Sequence, residues 1–319
     1  AYFARGLAHP LSDEEEMEGM MGTGNRMTVG FVGIGTMGLP MAINLLRGGY
    51  SVKGYSRVPE RNERFGEAGG TVCSSVEEVL SDVDVVITMV PNGSVVNDIV
   101  TRYKHRITPS TLFIDMSTTS PADARAAAEQ LAEVGVDFLD APVSGGLAGA
   151  SEGTLSIMVG GHESVLEKAR GVLALLGRSI TYMGPVGSGQ VTKAANQLIV
   201  GGTLALVAEA TVLLKKNGVD PATALSALRG GLAGSRILDL KGPQMIEREF
   251  TPTFAAGLHL KDMDIAMAVG HEAHCALPVT ACVLQLFEAV CACGFAEQDH
   301  SAIIKIIETL SGIEVERRN

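Results

Sequence analysis

Short β-branched runs alternate with helical stretches from Thr28 to about residue 187, and this alternation constrains the fold more than any other feature of the chain. The strand candidates are TVGFVG, SVKGYS, DVDVVITMV, TLFIDMS, VDFLDAPV, TLSIMVGG and SITYM. Helical patterns lie between them, over residues 37–48, 59–68, 121–134 and 162–176. Strands that alternate with helices of this length predict a parallel, doubly wound α/β sheet.

Beyond residue 187 the strand signals stop and the pattern becomes helical. We predict helices over residues 189–217, 221–229, 259–274, 278–293 and 300–310. The first of these would span roughly 43 Å, so we expect it to cross between domains or subunits. Because 319 residues are too many for one ordinary core, we predict two domains. The predicted ranges are an α/β domain over 27–187, an all-α substrate and oligomerisation domain over 188–319, and a disordered extension over 1–26 before a natural start at Met27.

Composition and charge exclude several classes of function. The net charge of −11 argues against a nucleic-acid partner or an anionic membrane, since both attract a basic surface. Asn196, Gln197 and Thr203 interrupt the longest charge-free stretch, which falls short of the roughly 20 apolar residues of a membrane helix. The five cysteines show no paired framework, so we expect a reducing, cytoplasmic setting. The segment HEAHC (271–275) is one residue short of the spacing that places two imidazoles on one helical face, and we predict no metal site.

A glycine motif follows the first predicted strand and opens a helix, in the segment FVGIGTMGLPMAINLL. Glycines spaced as G-x-G-x-x-G allow a tight turn, close approach of a pyrophosphate and tight helix packing. The alternative is a Gly-rich turn of an ordinary α/β protein, but strand, motif and helix all agree here. We therefore predict a Rossmann-type domain that binds a dinucleotide, with cofactor contacts at Gly33, Ile34, Gly35, Thr36, Met37 and Gly38.

Two further predicted strands end in small or polar residues. VITMVPN ends one strand with Pro91 and Asn92, directly after Val90, and IDMSTTSP ends the next with Ser117 and Thr118. The carboxyl ends of parallel strands are where ligands of this architecture bind. Thr118 could instead cap the helix that follows, although Ser120 is the better cap. Both interpretations of Thr118 stay open at this point.

The segment DAPVSGG (140–146) is a third candidate strand end. Ser144, Gly145 and Gly146 would expose one hydroxyl and consecutive backbone N–H groups that no bulky side chain screens. Such a loop can hold a carboxylate without a charged residue. A plain β-turn would give the same sequence, so both alternatives stay open.

One lysine stands at the head of an otherwise uncharged segment, GQVTKAANQLIV (189–200). No charged residue occurs from Ala194 to Ala208. Lysine is almost never fully buried without a partner, because desolvating an ammonium group costs several kcal/mol or lowers its pKa. The residues alone therefore leave the role of Lys193 open.

Four segments occur in the order and spacing of the 3-hydroxyacid (β-hydroxyacid) dehydrogenase family: FVGIGTMGLPMAINL, DAPVSGG, GSGQVTKAANQ and LHLKDMDIA. The chain resembles this family, which includes 3-hydroxyisobutyrate dehydrogenase and tartronate semialdehyde reductase, from about Met27 to Val315. RGGLAGSRILDLKGPQM (229–245) and QDHSA look most like the tartronate semialdehyde reductase branch. The resemblance implies an NAD(P)-dependent oxidoreductase that acts on a small carboxylate-bearing aldehyde or hydroxy acid, as a homodimer or homotetramer.

The resemblance also implies roles for individual residues. Lys193 maps onto the family's catalytic lysine, which would stabilise and protonate a carbonyl oxygen as it becomes negative. Asn196, one turn later, maps onto a residue that helps to hold substrate. The Ser144, Gly145 and Gly146 loop maps onto the site of the substrate carboxylate. The remaining implied contacts are Thr118 near substrate and nicotinamide, Phe254 as a wall, Asp262 beside the site and Lys261 on the cofactor. From the residues alone, a solvated ion pair would explain Lys261 and Asp262.

The segment GYSRVPE, at the end of the second predicted strand, bears on the choice of cofactor. NAD sites usually place Asp or Glu here to accept hydrogen bonds from the ribose 2′-hydroxyl. Ser56 and Arg57 stand here instead, and no acid appears until Glu60. A guanidinium can hold a 2′-phosphate with two hydrogen bonds, so we expect NADP in preference to NAD. A solvated Arg57 at a strand end is the alternative.

The leading hypothesis is reduction of tartronate semialdehyde (2-hydroxy-3-oxopropionate) to glycerate. A glyoxylate or succinic semialdehyde reductase, or an NAD-dependent 3-hydroxyisobutyrate dehydrogenase, would share the catalytic residues and differ in pocket shape and at the ribose end. A dinucleotide-binding module without catalysis is disfavoured, because Lys193, Asn196 and the Ser-Gly-Gly loop are all present.

Overall fold

The computed structural model describes residues 27–316, so the predicted extension over residues 1–26 lies outside the described residues. The strands are β1 (Thr28–Val32), β2 (Ser51–Tyr55), β3 (Thr71–Val72), β4 (Val85–Thr88), β5 (Leu112–Asp115), β6 (Asp137–Asp140), β7 (Val143–Ser144), β8 (Leu155–Gly161) and β9 (Gly177–Gly184). The helices of the α/β part are α1 (Gly38–Arg47), α2 (Pro59–Glu67), α3 (Val76–Leu80), α4 (Gly93–Tyr103), α5 (Pro121–Ala132), α6 (Gly146–Glu152) and α7 (Glu163–Ala174). The later helices are α8 (Ser188–Lys216), α9 (Pro221–Arg229), α10 (Arg236–Glu247), α11 (Ala256–Glu272), α12 (Pro278–Ala292) and α13 (Ile303–Ser311).

The strands form one sheet in the order β3-β2-β1-β4-β5-β6-β8-β7, with β9 paired to β8. The pairs from β3 across to β6 are parallel. The strand order reverses between β1 and β4, which opens a crevice at the carboxyl ends of these strands. The predicted Rossmann-type sheet followed by an all-α region is confirmed.

The sheet stops being parallel at β8. β6 and β7 pair antiparallel with β8 in one continuous register, with Leu139 opposite Gly161 and Val143 opposite Ile157. The connection to β8 contains only the seven-residue helix α6, so the chain turns back as a hairpin and does not cross a face of the sheet. β9 then follows α7 and pairs in parallel with β8.

Sequence patterns did not predict several short or irregular elements. β3 and β7 have two residues each, too few to show an alternation. α10 was missed because Gly242 and Pro243 lie inside it, and both residues normally disfavour a helix interior. The long helix was predicted within one residue of its ends.

Helix α8 joins the two halves of the structure. Its first turns pack against β8, β9 and α5, and its later turns pack against α9 to α13. Leu204, Ala208 and Val212 on this helix lie in the core of the helical part. By length and composition α8 could cross a membrane, but a buried core helix meets the same criterion.

Gly33 is expected to be irreplaceable, because two separate constraints act on it. Its φ of +103° favours glycine, and a Cβ would lie 2.3 Å from the carbonyl oxygen of Met89. Gly49 is a matched control, since its φ is +89° but no atom lies within 4 Å of its Cβ position. We expect Gly49→Ala to lower the free energy of unfolding by about 1–2 kcal/mol, and Gly33→Ala by about 2–5 kcal/mol in urea denaturation. Equal losses would show that the Met89 carbonyl does not restrict this turn.

Candidate active site

The glycine turn after β1 forms a cradle that fits a dinucleotide. A Cβ on Gly38 would lie 2.1 Å from the Gly33 carbonyl oxygen, so the turn and α1 pack backbone to backbone. No side chain caps the N-terminus of α1, and an anion can therefore bind there. The side chain of Ile34 is fully buried in the core, so Ile34 can offer a cofactor only its backbone. Met37 is partly buried and packs against the same core. The exposed Thr36 lies at the mouth of the turn.

Ser56 and Arg57 follow β2 at the ribose side of the cradle. The side chain of Asn62 holds the Ser56 backbone, accepting from its N–H and donating to its carbonyl, both at 2.8 Å. The Ser56 hydroxyl oxygen accepts from Val58 N–H at 3.1 Å, which leaves its own proton available to a ligand. The Arg57 side chain is exposed.

Arg61 is a further cationic residue at the cradle that sequence reasoning missed. Its guanidinium donates to Thr36 Oγ1 at 3.3 Å, and one of its nitrogens lies 3.4 Å from the Cβ position of Gly35. Arg61 therefore lies over the glycine turn. Its position in the first turn of α2, directly after the segment that carries Ser56 and Arg57, was the available signal.

Lys261 of α11 connects the strand ends that carry Pro91 and Thr118. Its Nζ donates to the Pro91 carbonyl at 2.9 Å and to the Thr118 carbonyl at 2.8 Å. Val90 N–H donates to the hydroxyl of Ser117 at 2.9 Å, which adds a second link between the same two segments. The predicted cofactor residues Val90, Pro91, Thr118 and Lys261 thus lie together at the crevice.

Lys193 lies inside this junction, and only 7% of the surface of this residue is exposed. Its Nζ donates to Gln197 Oε1 at 2.9 Å, and Gln197 Nε2 donates to Asp262 Oδ2 at 2.6 Å. The other Asp262 oxygen lies 3.1 Å from Lys261 Nζ in an ion pair. Because Asp262 is buried, Lys261 and Asp262 do not form the solvated ion pair that the residues alone suggested; their ion pair lies inside the site.

Burial lowers the pKa of Lys193 from its ordinary value of 10.5 to about 8. The nearby carboxylate of Asp262 opposes this shift and the charge of Lys261 adds to it. A lysine with this pKa exchanges its proton close to neutral pH, as a general acid or base must.

Gln197 is a second residue that sequence reasoning missed. Its Oε1 accepts from Asn196 Nδ2 at 2.7 Å as well as from Lys193, so two donors converge on one oxygen. Asn196 therefore lies beside Lys193. The available signal was a buried amide one turn after the lysine in an apolar helix.

The Ser144 loop and Phe254 lie outside this hydrogen-bond network in the described part of the chain. Gly145 and Gly146 have φ values of +137° and +62°, conformations that favour glycine, and they lead from β7 into α6. β7 packs beside α8, which carries Lys193. The partly buried Phe254 meets His259 and His300 edge-on, with ring centroids 5.7 and 5.5 Å apart.

Within residues 27–316, no group of three or more His, Cys, Asp or Glu side chains could hold a metal ion. The HEAHC segment lies where α11 ends, and His271 and His274 in it are exposed.

Comparison with known proteins identifies the family of this chain. Residues 28–184 match the family model for the NAD binding domain of 6-phosphogluconate dehydrogenase. Residues 187–307 match the one for NAD-binding of NADP-dependent 3-hydroxyisobutyrate dehydrogenase. The chain is also 40% identical to 2-hydroxy-3-oxopropionate reductase of Escherichia coli (strain K12), over 89% of this chain and 98% of that protein. The chain belongs to the 3-hydroxyacid dehydrogenase family.

Further relatives agree with this membership. The 2-(hydroxymethyl)glutarate dehydrogenase of Eubacterium barkeri is 36% identical, over 90% of this chain and 97% of that one. A solved 3-hydroxyisobutyrate dehydrogenase of Mycobacterium tuberculosis, with L-serine, superposes with a TM-score of 0.81 at 33% identity, over 89% and 99% of the two chains. The protein is therefore an NAD(P)-dependent 3-hydroxyacid dehydrogenase, and the predicted family, fold class and NAD(P) dependence are confirmed.

Proposed function

We propose that this 3-hydroxyacid dehydrogenase reduces 2-hydroxy-3-oxopropionate (tartronate semialdehyde) to glycerate, with NADPH as reductant. The observation that carries the proposal is the buried Lys193 ammonium group, whose pKa is lowered to about 8 at the junction of the two domains. The 40% identity to the E. coli 2-hydroxy-3-oxopropionate reductase supports the choice of substrate. Relatives named for other hydroxy acids keep 3-hydroxyisobutyrate and similar compounds as the alternatives to test.

In the proposed mechanism, Lys193 acts on the carbonyl oxygen of the substrate. The reduced nicotinamide, when bound, would supply the hydride. As the carbonyl oxygen becomes negative, the Lys193 ammonium stabilises it and then donates a proton from Nζ. Burial excludes water from this group, which strengthens its electrostatic effect on the oxygen. Gln197 and Asp262 hold the amine in place while it gains or loses its proton.

Other residues are proposed to hold the substrate. The Ser144 hydroxyl and the backbone N–H groups of Gly145 and Gly146 would bind its carboxylate, because glycine at these positions leaves the backbone accessible to an anion. Asn196 would add an amide beside Lys193, with Thr118 at the nicotinamide side. Phe254 would form a wall from the helical side.

Replacement of Lys193 by alanine tests this mechanism. We expect Lys193→Ala to lower kcat by about 10³-fold or more, with the Kd for NADPH nearly unchanged. In the wild type, reduction needs the ammonium form, so kcat for reduction should fall as pH rises through about 8. Oxidation of glycerate needs the free amine, so kcat for oxidation should rise as pH rises through about 8. Activity of Lys193→Ala within about tenfold of wild type would remove Lys193 from the general-acid role.

Replacement of Ser144 tests the carboxylate site. Ser144→Ala should raise KM more than it lowers kcat, since a carboxylate is held equally in the ground state and the transition state. The measurement compares tartronate semialdehyde with an uncharged aldehyde, glyceraldehyde, as the control. If both substrates lost affinity equally, the loop would not be the carboxylate site.

The preference for NADPH is testable at Arg57. A guanidinium and the free Ser56 hydroxyl proton can bind a 2′-phosphate, with Arg61 as a further cation on the same side. We expect the wild type to prefer NADPH over NADH in kcat/KM and Arg57→Asp to reverse the preference, because a carboxylate repels the phosphate. Arg102→Asp, at an exposed ion pair on α4, is the matched control. Wild-type preference for NADH would show that the 2′-phosphate is not recognised here.

We also propose a cytoplasmic homodimer or homotetramer. Ile199, Leu206 and Leu213 form an apolar row along α8, and their side chains are 64%, 66% and 64% exposed. Residues spaced by two helical turns share one face, so the three could pack on a second copy. Light scattering at micromolar concentration should show a dimer or larger assembly that Leu206→Glu weakens, while Leu310→Glu, on an equally exposed leucine of α13, does not. A wild-type monomer would contradict the proposal.

A further inference from the structure

The carboxylate of Asp140 caps helix α8 from another part of the fold. α8 begins after Gly187 without a side-chain cap of its own. Instead, the fully buried Asp140, at the end of β6, accepts from Gly187 N–H at 2.7 Å and from Gln190 N–H at 3.0 Å. A carboxylate at a helix N-terminus is stabilised by these N–H groups and by the helix dipole. The sheet thereby fixes the start of the helix that carries Lys193.

Gly189 lets this contact be unusually close. A Cβ at this position would lie 2.4 Å from the Met158 carbonyl oxygen and 2.8 Å from both the backbone oxygen and Oδ2 of Asp140. The first turn of α8 therefore rests directly on the backbone of β6 and β8. Little space remains for the helix start to shift along the sheet.

The side chain of Gln190 links the same turn to the segment that contains Thr118. Its Oε1 accepts from Thr119 N–H at 3.0 Å, and its Nε2 donates to the Ser117 carbonyl at 2.9 Å. Gln190 is 1% exposed, so solvent does not compete for these two hydrogen bonds. One amide thus holds both neighbours of Thr118, whose own carbonyl accepts from Lys261.

Gln190 and Lys193 lie three residues apart on α8, and both side chains are buried on the face turned to the crevice. We propose that Asp140 and Gln190 are positioning residues for Lys193, which set the distance between its ammonium group and the Thr118 side of the site. Neither residue needs to touch the substrate. This inference rests on the proposed function, since it assigns Lys193 the proton transfer.

The role of Gln190 depends on its having one acceptor and one donor. In Gln190→Glu, a protonated side chain keeps this pattern, whereas an ionised one turns a second acceptor toward the Ser117 carbonyl. Gln190→Met has a similar length and makes neither bond. A shift of about 1 Å in a catalytic group can cost on the order of 100-fold in rate.

The experiment measures kcat for tartronate semialdehyde per NADPH-binding site, with sites counted by cofactor titration, between pH 5 and 8. We expect Gln190→Met to lose about 10- to 100-fold at every pH. The ratio of Gln190→Glu to wild type should be near one at low pH and fall as position 190 ionises. The other ionisable groups around position 190 are Asp115, Asp140, Arg125, Lys193 and Lys261. Burial raises the pKa of Asp115 and of Asp140 to about 6, inside this pH range. Gln190→Met has no ionisable group at position 190 and therefore shows the pH dependence that these neighbours produce without it. Asp140→Asn should lose activity likewise, because its amide N–H₂ would face one of the two N–H donors.

A double variant separates positioning from a merely structural role. If Gln190 acts through Lys193, Gln190→Met should cause no further loss in a Lys193→Ala background. Thr211→Val, at a buried hydroxyl farther along α8, is the control that changes Tm without changing kcat. A lowered Tm with unchanged kcat per site for Gln190→Met would overturn the inference. An equal loss of kcat on Gln190→Met in the wild-type and Lys193→Ala backgrounds would also overturn the inference. If the Lys193→Ala single variant were itself active, the proposed function would be the part that fails.

Discussion

The burial of the Lys193 ammonium group is the constraint on which the site depends. An isolated buried charge is so unfavourable that the group usually loses its proton or finds a counter-ion. Here a neutral amide, Gln197, is the direct partner, and the carboxylate of Asp262 is reached only through it. A direct ion pair would hold the proton tightly and keep the pKa high. The intervening amide leaves burial dominant, so the pKa of Lys193 falls to about 8 and the proton can be given up.

The same helix that buries Lys193 also forms the core of the helical domain. Leu204, Ala208 and Val212 of α8 pack within that core, while its first turn is capped from the sheet. Movement of one domain against the other would therefore displace Lys193 relative to the strand ends. A Cβ at Gly189 would clash with the sheet, and a Cβ at Gly201 would lie within about 3 Å of His259 and Met263. Close packing at these two positions opposes such movement.

Local sequence signals predicted the parts of the site that depend on local geometry. The glycine motif needs only a strand, a turn and a helix in succession, and Lys193 was conspicuous because its own helix is apolar. Gln197, Arg61 and Asp140 were not predicted, since each acquires its partner only when separate elements meet. Asp140 lies 47 residues from Gly187 and Gln197 lies 65 from Asp262, separations at which a single sequence gives no pairing signal. The antiparallel turn at β8 was missed for the same reason.

The helical domain contains a second buried polar group behind Phe254. Lys241 Nζ donates to both oxygens of Asp299 at 2.9 Å. Burial alone would raise the pKa of Asp299, but the hydrogen bonds and the charge of Lys241 hold it well below its usual value. Burial also lowers the pKa of His259 to about 4, so that ring is neutral where it meets His300, Nδ1 to Nδ1, at 2.9 Å.

Such groups stabilise a fold only if each finds its partner, and an unpaired member would be strongly destabilising. Because both rings pack edge-on against Phe254, this cluster fixes the position of the aromatic side chain from behind. The helical side of the site is therefore set by buried polar pairing, and the sheet side by the close backbone contact at Gly189 together with the Asp140 cap and the Gln190 amide. Lys193 lies between these two supports, so a substitution that loosens either one changes the position of the lysine in the site.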